Sequence, residues 1–162
     1  MKLIIMRHGE AEPYQTNDKE RNLTRFGKNQ AEFAGRRLAE YLQSGIEKPR
    51  LENTLVSPYT RTQQTFACVS KKIETKRKID CDMIVPEGDI EQFADYIQGV
   101  SMQDDAPETL MIISHMPFVS LFADKLCAGF NGRIFSTADI LIIEYDSTSH
   151  TGTQLALLQS IS

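Results

Sequence analysis

Short blocks of apolar residues with no polar alternation constrain this chain more than any other feature. Leu3-Ile4-Ile5-Met6 and Leu110-Met111-Ile112-Ile113 are the clearest. A strand with one wet face alternates apolar and polar residues, whereas one covered on both faces does not, so these blocks read as interior strands of a largely parallel sheet. The first block stops abruptly at Arg7-His8-Gly9. Two later stretches repeat that design: Val56-Ser57-Pro58-Tyr59-Thr60-Arg61 and Ile112-Ile113-Ser114-His115-Met116-Pro117. Each runs from apolar residues to a basic or imidazole side chain, and the later two pass through a serine and lie beside a proline.

Between the blocks the periodicity changes to that of helices. Residues 2–6 form the first strand, and 10–22 a polar loop. Thr24 is the expected N-cap of a helix from about 25 to 43, with Ala31, Ala34, Leu38 and Tyr41/Leu42 on its apolar face. A second strand spans 53–57. Pro58 then suits the first position of a helix reaching about Lys72, capped by Ser57, with Phe66 and Val69 inward. A weaker third strand is expected at 81–85, and Pro86–Asp89 turns into a helix over 89–99 with Ile90, Phe93, Ala94 and Ile97 buried. The strand at 110–114 leads through Pro117 into a helix ending at Leu126. Residues 140–145 and 154–158 read as two strands joined by a turn. Alternating strands and helices predict a three-layer α/β/α sandwich, mostly parallel with an antiparallel edge. With 162 residues, the whole chain, 1–162, reads as one domain, and burying roughly 70% of its unfolded surface needs no disulfide or metal staple.

Charge and cysteine content narrow the function. A net charge of −4 argues against nucleic acid as partner. No apolar run approaches the ~20 residues that cross a bilayer, and the stretch before Arg7 is too short for a signal peptide. Three widely spaced cysteines, Cys68, Cys81 and Cys127, fit reduced core thiols in a cytoplasmic protein. The basic residues Lys71, Lys72, Lys76, Arg77 and Lys78 read as a solvated helix end, and His150 as an exposed turn residue.

In an open α/β sheet, ligands bind beyond the carboxyl ends of the strands, where helix N-termini favour anions. Arg7, His8, Ser57, Arg61, Ser114 and His115 all fall there. Arg61 is odd as a structural residue, because a cation in the first turn of a helix is unfavourable unless an anion compensates it. Taken singly, Arg7 reads as well as a salt bridge and His8 as a satisfied core histidine. Two histidines and two arginines at three equivalent strand ends point instead to a bound oxyanion. Metal is not expected: Arg7 would repel a cation, and neither HExxH nor CxxC spacing is present. No GxxxxGK[ST] or GxGxxG loop occurs either.

These residues form a recognisable set. Arg7-His8-Gly9 resembles the RHG motif of the histidine phosphatase (phosphoglycerate mutase-like) superfamily. Leu23-Thr24…Gly27…Gln30-Ala31 resembles its LT-x-x-G-x-x-QA segment, SPYTRTQQT (57–65) its SP-x-x-R-x-x-QT motif, and Ser114-His115 its late histidine. The short length, Arg21 before Leu23-Thr24 and Ile113-Ser114-His115-x-Pro117 are similar to the SixA-type phosphohistidine phosphatases.

The resemblance implies a cofactor-free, metal-independent phosphatase in which His8 becomes transiently phosphorylated. Arg7, Arg61 and a protonated His115 would hold the phosphoryl oxygens, with Gly9 and Arg21 also on the phosphate or substrate side. Its substrate would be phosphohistidine on a partner protein, such as a histidine phosphotransfer domain or a phosphocarrier, and a monomer is expected. The alternative enzyme is a phosphomonoesterase acting on a small metabolite, with Glu87 as general acid; Asp89 reads rather as a helix cap. The non-enzyme alternative is a phosphohistidine-binding adaptor.

Overall fold

The computed structural model describes residues 1–14 and 16–161. Its strands are β1 (Lys2–Arg7), β2 (Arg50–Val56), β3 (Glu74–Asp80), β4 (Thr109–Ser114), β5 (Ile140–Asp146) and β6 (Thr151–Leu158). They form one sheet in the order β3-β2-β4-β1-β5-β6. The first four pair in parallel, and β5 and β6 add an antiparallel edge. The helices are α1 (Arg25–Leu42), α2 (Thr60–Val69), α3 (Ile90–Ser101) and α4 (Phe118–Leu126).

Side chains alternate across a strand, and β1 divides its apolar block accordingly. Leu3 and Ile5 face Phe93, Phe118 and Phe122 of α3 and α4. Ile4 and Met6 face Ala31, Ala34 and Leu38 of α1 and Cys68 and Val69 of α2. Helices thus cover both faces, which is why the block carries no polar residue. The expected α/β/α sandwich with a mostly parallel sheet is the fold observed.

Register puts the functional strand ends side by side. Arg7 pairs with Ser114, and Val56 with Ile113. The next residues are stitched across: His8 N–H donates to Ser114 O at 3.0 Å, and Ser57 N–H to Ile113 O at 3.2 Å. Chain order reverses here, since β4 inserts between β1 and β2, and this is the switch point where α/β ligands sit.

Several local expectations are corrected. Residues 81–85 are not a strand: Asp82–Ile84 is a single 3-10 turn, and the third strand lies earlier, at Glu74–Asp80. Lys76, Arg77 and Lys78 therefore belong to an edge strand, where lysine blocks pairing with another chain. Helix α2 begins at Thr60 and ends at Val69, and Tyr59 occupies its N-cap with no side-chain bond, so neither Pro58 nor Ser57 has its expected role. Strand β2 starts three residues before the expected Asn53, at Arg50. Tyr41, expected on the buried face of α1, is exposed. By contrast, Thr24 caps α1 by accepting from Gly27 N–H, and Asp89 caps α3 by accepting from Gln92 N–H.

Phe93 is wholly buried and touches three other rings, those of Tyr96, Phe118 and Phe122. Phe93→Ala should cost about 3–5 kcal/mol, read as a lowered urea midpoint with little change in slope.

Candidate active site

His8 leaves the end of β1 with its backbone fixed on both sides. Its N–H donates to Ser114 O, and its carbonyl accepts from Ala138 N–H at 2.9 Å. The ring is buried, and Nδ1 lies 2.7 Å from the carbonyl oxygen of Gly9. A carbonyl only accepts, so Nδ1 carries the proton and Nε2 carries the lone pair. Arg61 agrees with that tautomer, because its Nε–H donates to His8 Nε2 at 3.3 Å.

Gly9 sets the loop that makes this possible. Its N–H donates to Thr65 Oγ1 at 3.1 Å. A Cβ on Gly9 would lie 2.4 Å from Gly27 O, and a Cβ on Gly27 would lie 2.0 Å from Glu10 O. The two glycines of the sequence motifs are therefore one contact, backbone against backbone. Gln30 Oε1 accepts from Glu10 N–H at 2.8 Å, and Gln64 Oε1 accepts from Leu23 N–H at 2.7 Å. Gly9, expected on the phosphate side, thus has its N–H committed to Thr65 and acts through its carbonyl.

Around His8 stand three cationic or imidazole side chains. Arg61, 3% exposed, donates from Nη1 to Asp18 O at 2.8 Å and from Nη2 to Asp18 Oδ2 at 3.2 Å. Its guanidinium also lies over the Tyr59 ring, 5.0 Å from the centroid. Arg7 donates from Nη1 to Phe135 O at 2.7 Å. The His115 ring centroid is 5.3 Å from that of His8, and its Nε2 is 2.8 Å from Ser57 Oγ. Ser57 Oγ also accepts from Tyr59 N–H at 3.4 Å, and a hydroxyl can both accept there and either donate to or accept from His115 Nε2. Two side-chain nitrogens are buried without partners among the described residues, Arg7 Nε, a donor, and His115 Nδ1. Buried polar atoms are normally satisfied, so this pair marks a place for a ligand that the chain itself does not supply.

The structure thus brings Arg7, His8, Arg61 and His115 together. Arg21 lies beside them at the rim but is occupied, donating from Nε to Asp18 Oδ1 at 3.1 Å and from Nη1 to Glu12 O at 2.9 Å. Glu87 is exposed in the loop between the 3-10 turn and α3 and makes no hydrogen bond or ion pair among the described residues. The 3-10 turn before that loop is tied to the end of β4: Ser114 Oγ donates to Ile84 O at 2.6 Å. Asp18 and Tyr59 were not singled out from the sequence. Asp18 sits in a polar loop, and its only cue was Arg21 three residues later.

Electrostatics keep both imidazoles neutral. Burial, with Arg61, Arg7 and Arg21 adding repulsion, pushes His8 down to about 3, against the opposing hydrogen bond to Gly9. Burial and then the neighbouring His8, Arg61, Arg7 and Arg21 bring His115 down to about 2. Low dielectric and the guanidiniums of Arg61, Arg7 and Arg21 disfavour a proton on His115; the protonated His115 expected from the sequence concerns the phosphoryl-bound state. Burial also lowers Arg7 and Arg61, with Asp139 and Asp18 respectively opposing the shift. Among the described residues, no group of three or more His, Cys, Asp or Glu side chains is arranged to hold a metal ion.

The carboxyl ends of these parallel strands thus gather a tautomer-fixed imidazole, one buried and one half-buried guanidinium and unpartnered nitrogens, a set suited to binding an oxyanion. Residues 3–93 match the histidine phosphatase superfamily (branch 1), and the chain belongs to that family. It is 34% identical over 149 residues to a phosphohistidine phosphatase SixA homolog of Haemophilus influenzae, covering 90% of this chain and 89% of that protein. It is 28% identical to phosphohistidine phosphatase SixA of Escherichia coli, covering 93% and 89% respectively. Among solved structures, protein histidine phosphatase SixA complexed with tungstate superposes with a TM-score of 0.86 at 27% identity, over 98% of this chain and 97% of that one.

The neutral histidines have a consequence for stability. A folded-state value depressed below the ordinary 6.5 means that the unfolded chain binds more protons between that value and the lowered one. The contribution is complete above pH 6.5 and is lost as pH falls toward 3. Urea unfolding between pH 6 and 4 should lose up to about 1.4 kcal/mol per pH unit for each such histidine. His8→Gln should flatten that slope by one histidine's share.

Proposed function

We propose that this chain is a phosphatase that removes phosphate from phosphohistidine on a partner protein, through a covalent intermediate on His8. The observation that carries this reading is the Nδ1–H bond from His8 to Gly9 O, 2.7 Å long, which directs the lone pair of the neutral imidazole to Nε2. A nucleophile with that protonation state needs no separate base.

In the first step His8 Nε2 attacks phosphorus in line. The Nε2–P bond forms, and the bond from phosphorus to the substrate imidazole breaks. With the other ring nitrogen of the substrate protonated, the electron pair leaves on a neutral imidazole. Arg7, Arg61 and His115 Nδ1–H hold the equatorial oxygens, where charge-assisted hydrogen bonds are strongest. The incoming dianion favours protonation of His115, so the cationic form expected from the sequence belongs to the bound state. Water then attacks the same phosphorus, the P–Nε2 bond breaks, and inorganic phosphate departs.

An imidazole leaves readily because its conjugate acid has a pKa of about 6.5, whereas an alkoxide needs a proton donor. Glu87, exposed and unpartnered among the described residues, is not required by this route. A histidine phosphotransfer domain or a phosphocarrier has the required chemistry as partner. Three free, buried cysteines support a reducing, cytoplasmic setting, and no helix among the described residues is long and apolar enough to cross a membrane.

Brief exposure to a radiolabelled phosphohistidine protein, quenched in alkaline denaturant because phosphohistidine survives base, should leave label on His8. His8→Ala should lose both label and turnover, by at least about 10³-fold. An unlabelled His8 in a turning-over enzyme would overturn the covalent route. Glu87→Gln should stay within about threefold on phosphohistidine; a requirement for Glu87 of ~10²-fold on ester substrates, with esters the better substrates, would favour the phosphomonoesterase instead.

A further inference from the structure

Asp18 has no part in the reaction just described, yet it accepts from both Arg61 and Arg21. Its backbone oxygen accepts from Arg61 Nη1 at 2.8 Å and from Arg21 N–H at 3.2 Å. One carboxylate oxygen accepts from Arg61 Nη2 at 3.2 Å, and the other accepts from Arg21 Nε at 3.1 Å and is ion-paired with Arg21 Nη2 at 3.0 Å. The 3-10 turn that presents it, Asp18–Glu20, is closed by Asn17, whose side chain accepts from Lys19 N–H at 3.1 Å.

A carboxylate beside a dianion site is electrostatically costly unless it does something for the cations there. We propose that Asp18 is a positioning residue that pins the Nη edge of Arg61, so that its Nε–H can be surrendered by His8 and given to the phosphoryl group. The proposal rests on the phosphatase reading above for its effect on turnover. Its logic comes from the donor inventory of Arg61. Nε–H occupies the His8 Nε2 lone pair at 3.3 Å, the very pair that must attack phosphorus. Substrate can take that donor only if the guanidinium turns while its far edge stays anchored. Asp18 supplies both acceptors recorded on that edge. The same carboxylate also holds Arg21 at the rim, so the second arginine contributes charge without competing for the nucleophile.

The test uses the whole protein with Asp18→Asn, which keeps size and removes charge, and Asp18→Glu as the conservative variant. Turnover of a phosphohistidine protein should fall about 10- to 100-fold in kcat. Affinity for tungstate, a probe of the ground-state anion site, should stay within about threefold or tighten, since an opposing charge has gone. Asp18→Glu should recover part of kcat. A merely structural ion pair would lower Tm without splitting kcat from anion affinity. Unchanged kcat, or kcat and tungstate affinity lost together, would overturn the proposal while leaving the phosphatase reading intact. Imidazole ¹⁵N spectra give a readout independent of turnover: Asp18→Asn should move the His8 Nε2 resonance while Nδ1 stays in place. If the wild-type protein turned over no phosphohistidine, the functional reading would fail, and an unmoved Nε2 resonance would then sink the Asp18 proposal separately.

Discussion

No side chain fits between Gly9 and Gly27, and the candidate site depends on that contact. Because the first turn of α1 sits directly on the loop after β1, the Gly9 carbonyl is fixed where His8 Nδ1 can reach it. Thr65 holds the N–H of the same glycine, and its hydroxyl donates in turn to Arg61 O at 2.7 Å. One tight approach thereby ties the nucleophile candidate of β1, the cap of α1 and the arginine of α2 into a single unit. Any Cβ at either glycine would have to displace backbone, which does not yield as a side-chain tip does. The spacing from Arg7-His8-Gly9 to Thr24…Gly27 in the sequence is the record of that packing.

How far the sequence could be read follows from which forces act locally. Leu3–Met6 and Leu110–Ile113 announced interior strands because two covered faces admit no polar residue. The four charged or imidazole residues were visible because each terminates such a run. The missed elements depend on tertiary partners. Strand β3 is an edge strand with half-buried Thr75 and Ile79 among charges, so its period-2 signal is weak and its lysines resemble a helix end. Ser57 reads as an N-cap by type, but its hydroxyl is taken by a histidine 58 positions away, and α2 starts later in consequence. Asp18 looked like loop filler because its two arginines lie three residues away in one case and 43 in the other.

Charge in the pocket is arranged by subtraction. Were both imidazoles protonated alongside Arg7, Arg21 and Arg61, several positive groups would share a largely dry site with one ion-paired carboxylate. Burial removes the imidazole charges first, as the low values of His8 and His115 record. What stays charged are the guanidiniums, which do not deprotonate in proteins and spread their charge over planar donors. Positive potential is therefore available for an incoming oxyanion without cancelling the lone pair that must attack it. Tyr59 assists both halves: its ring lies under Arg61 and meets the His115 ring at 4.8 Å.

The same field bears on the choice of leaving group. A carboxylate among guanidiniums serves them as an acceptor. Asp18, ion-paired to Arg21 and Arg61 among the described residues, is used in that way. A site needing a general acid would have to keep it outside this field and shielded from water, so that desolvation raised its pKa. Glu87 meets at most the first condition, since it is exposed. An arginine-rich pocket without a sheltered acid is matched to a bond whose leaving group departs unaided, and a phosphorus–imidazole bond has that property whereas a phosphate ester of an alcohol does not.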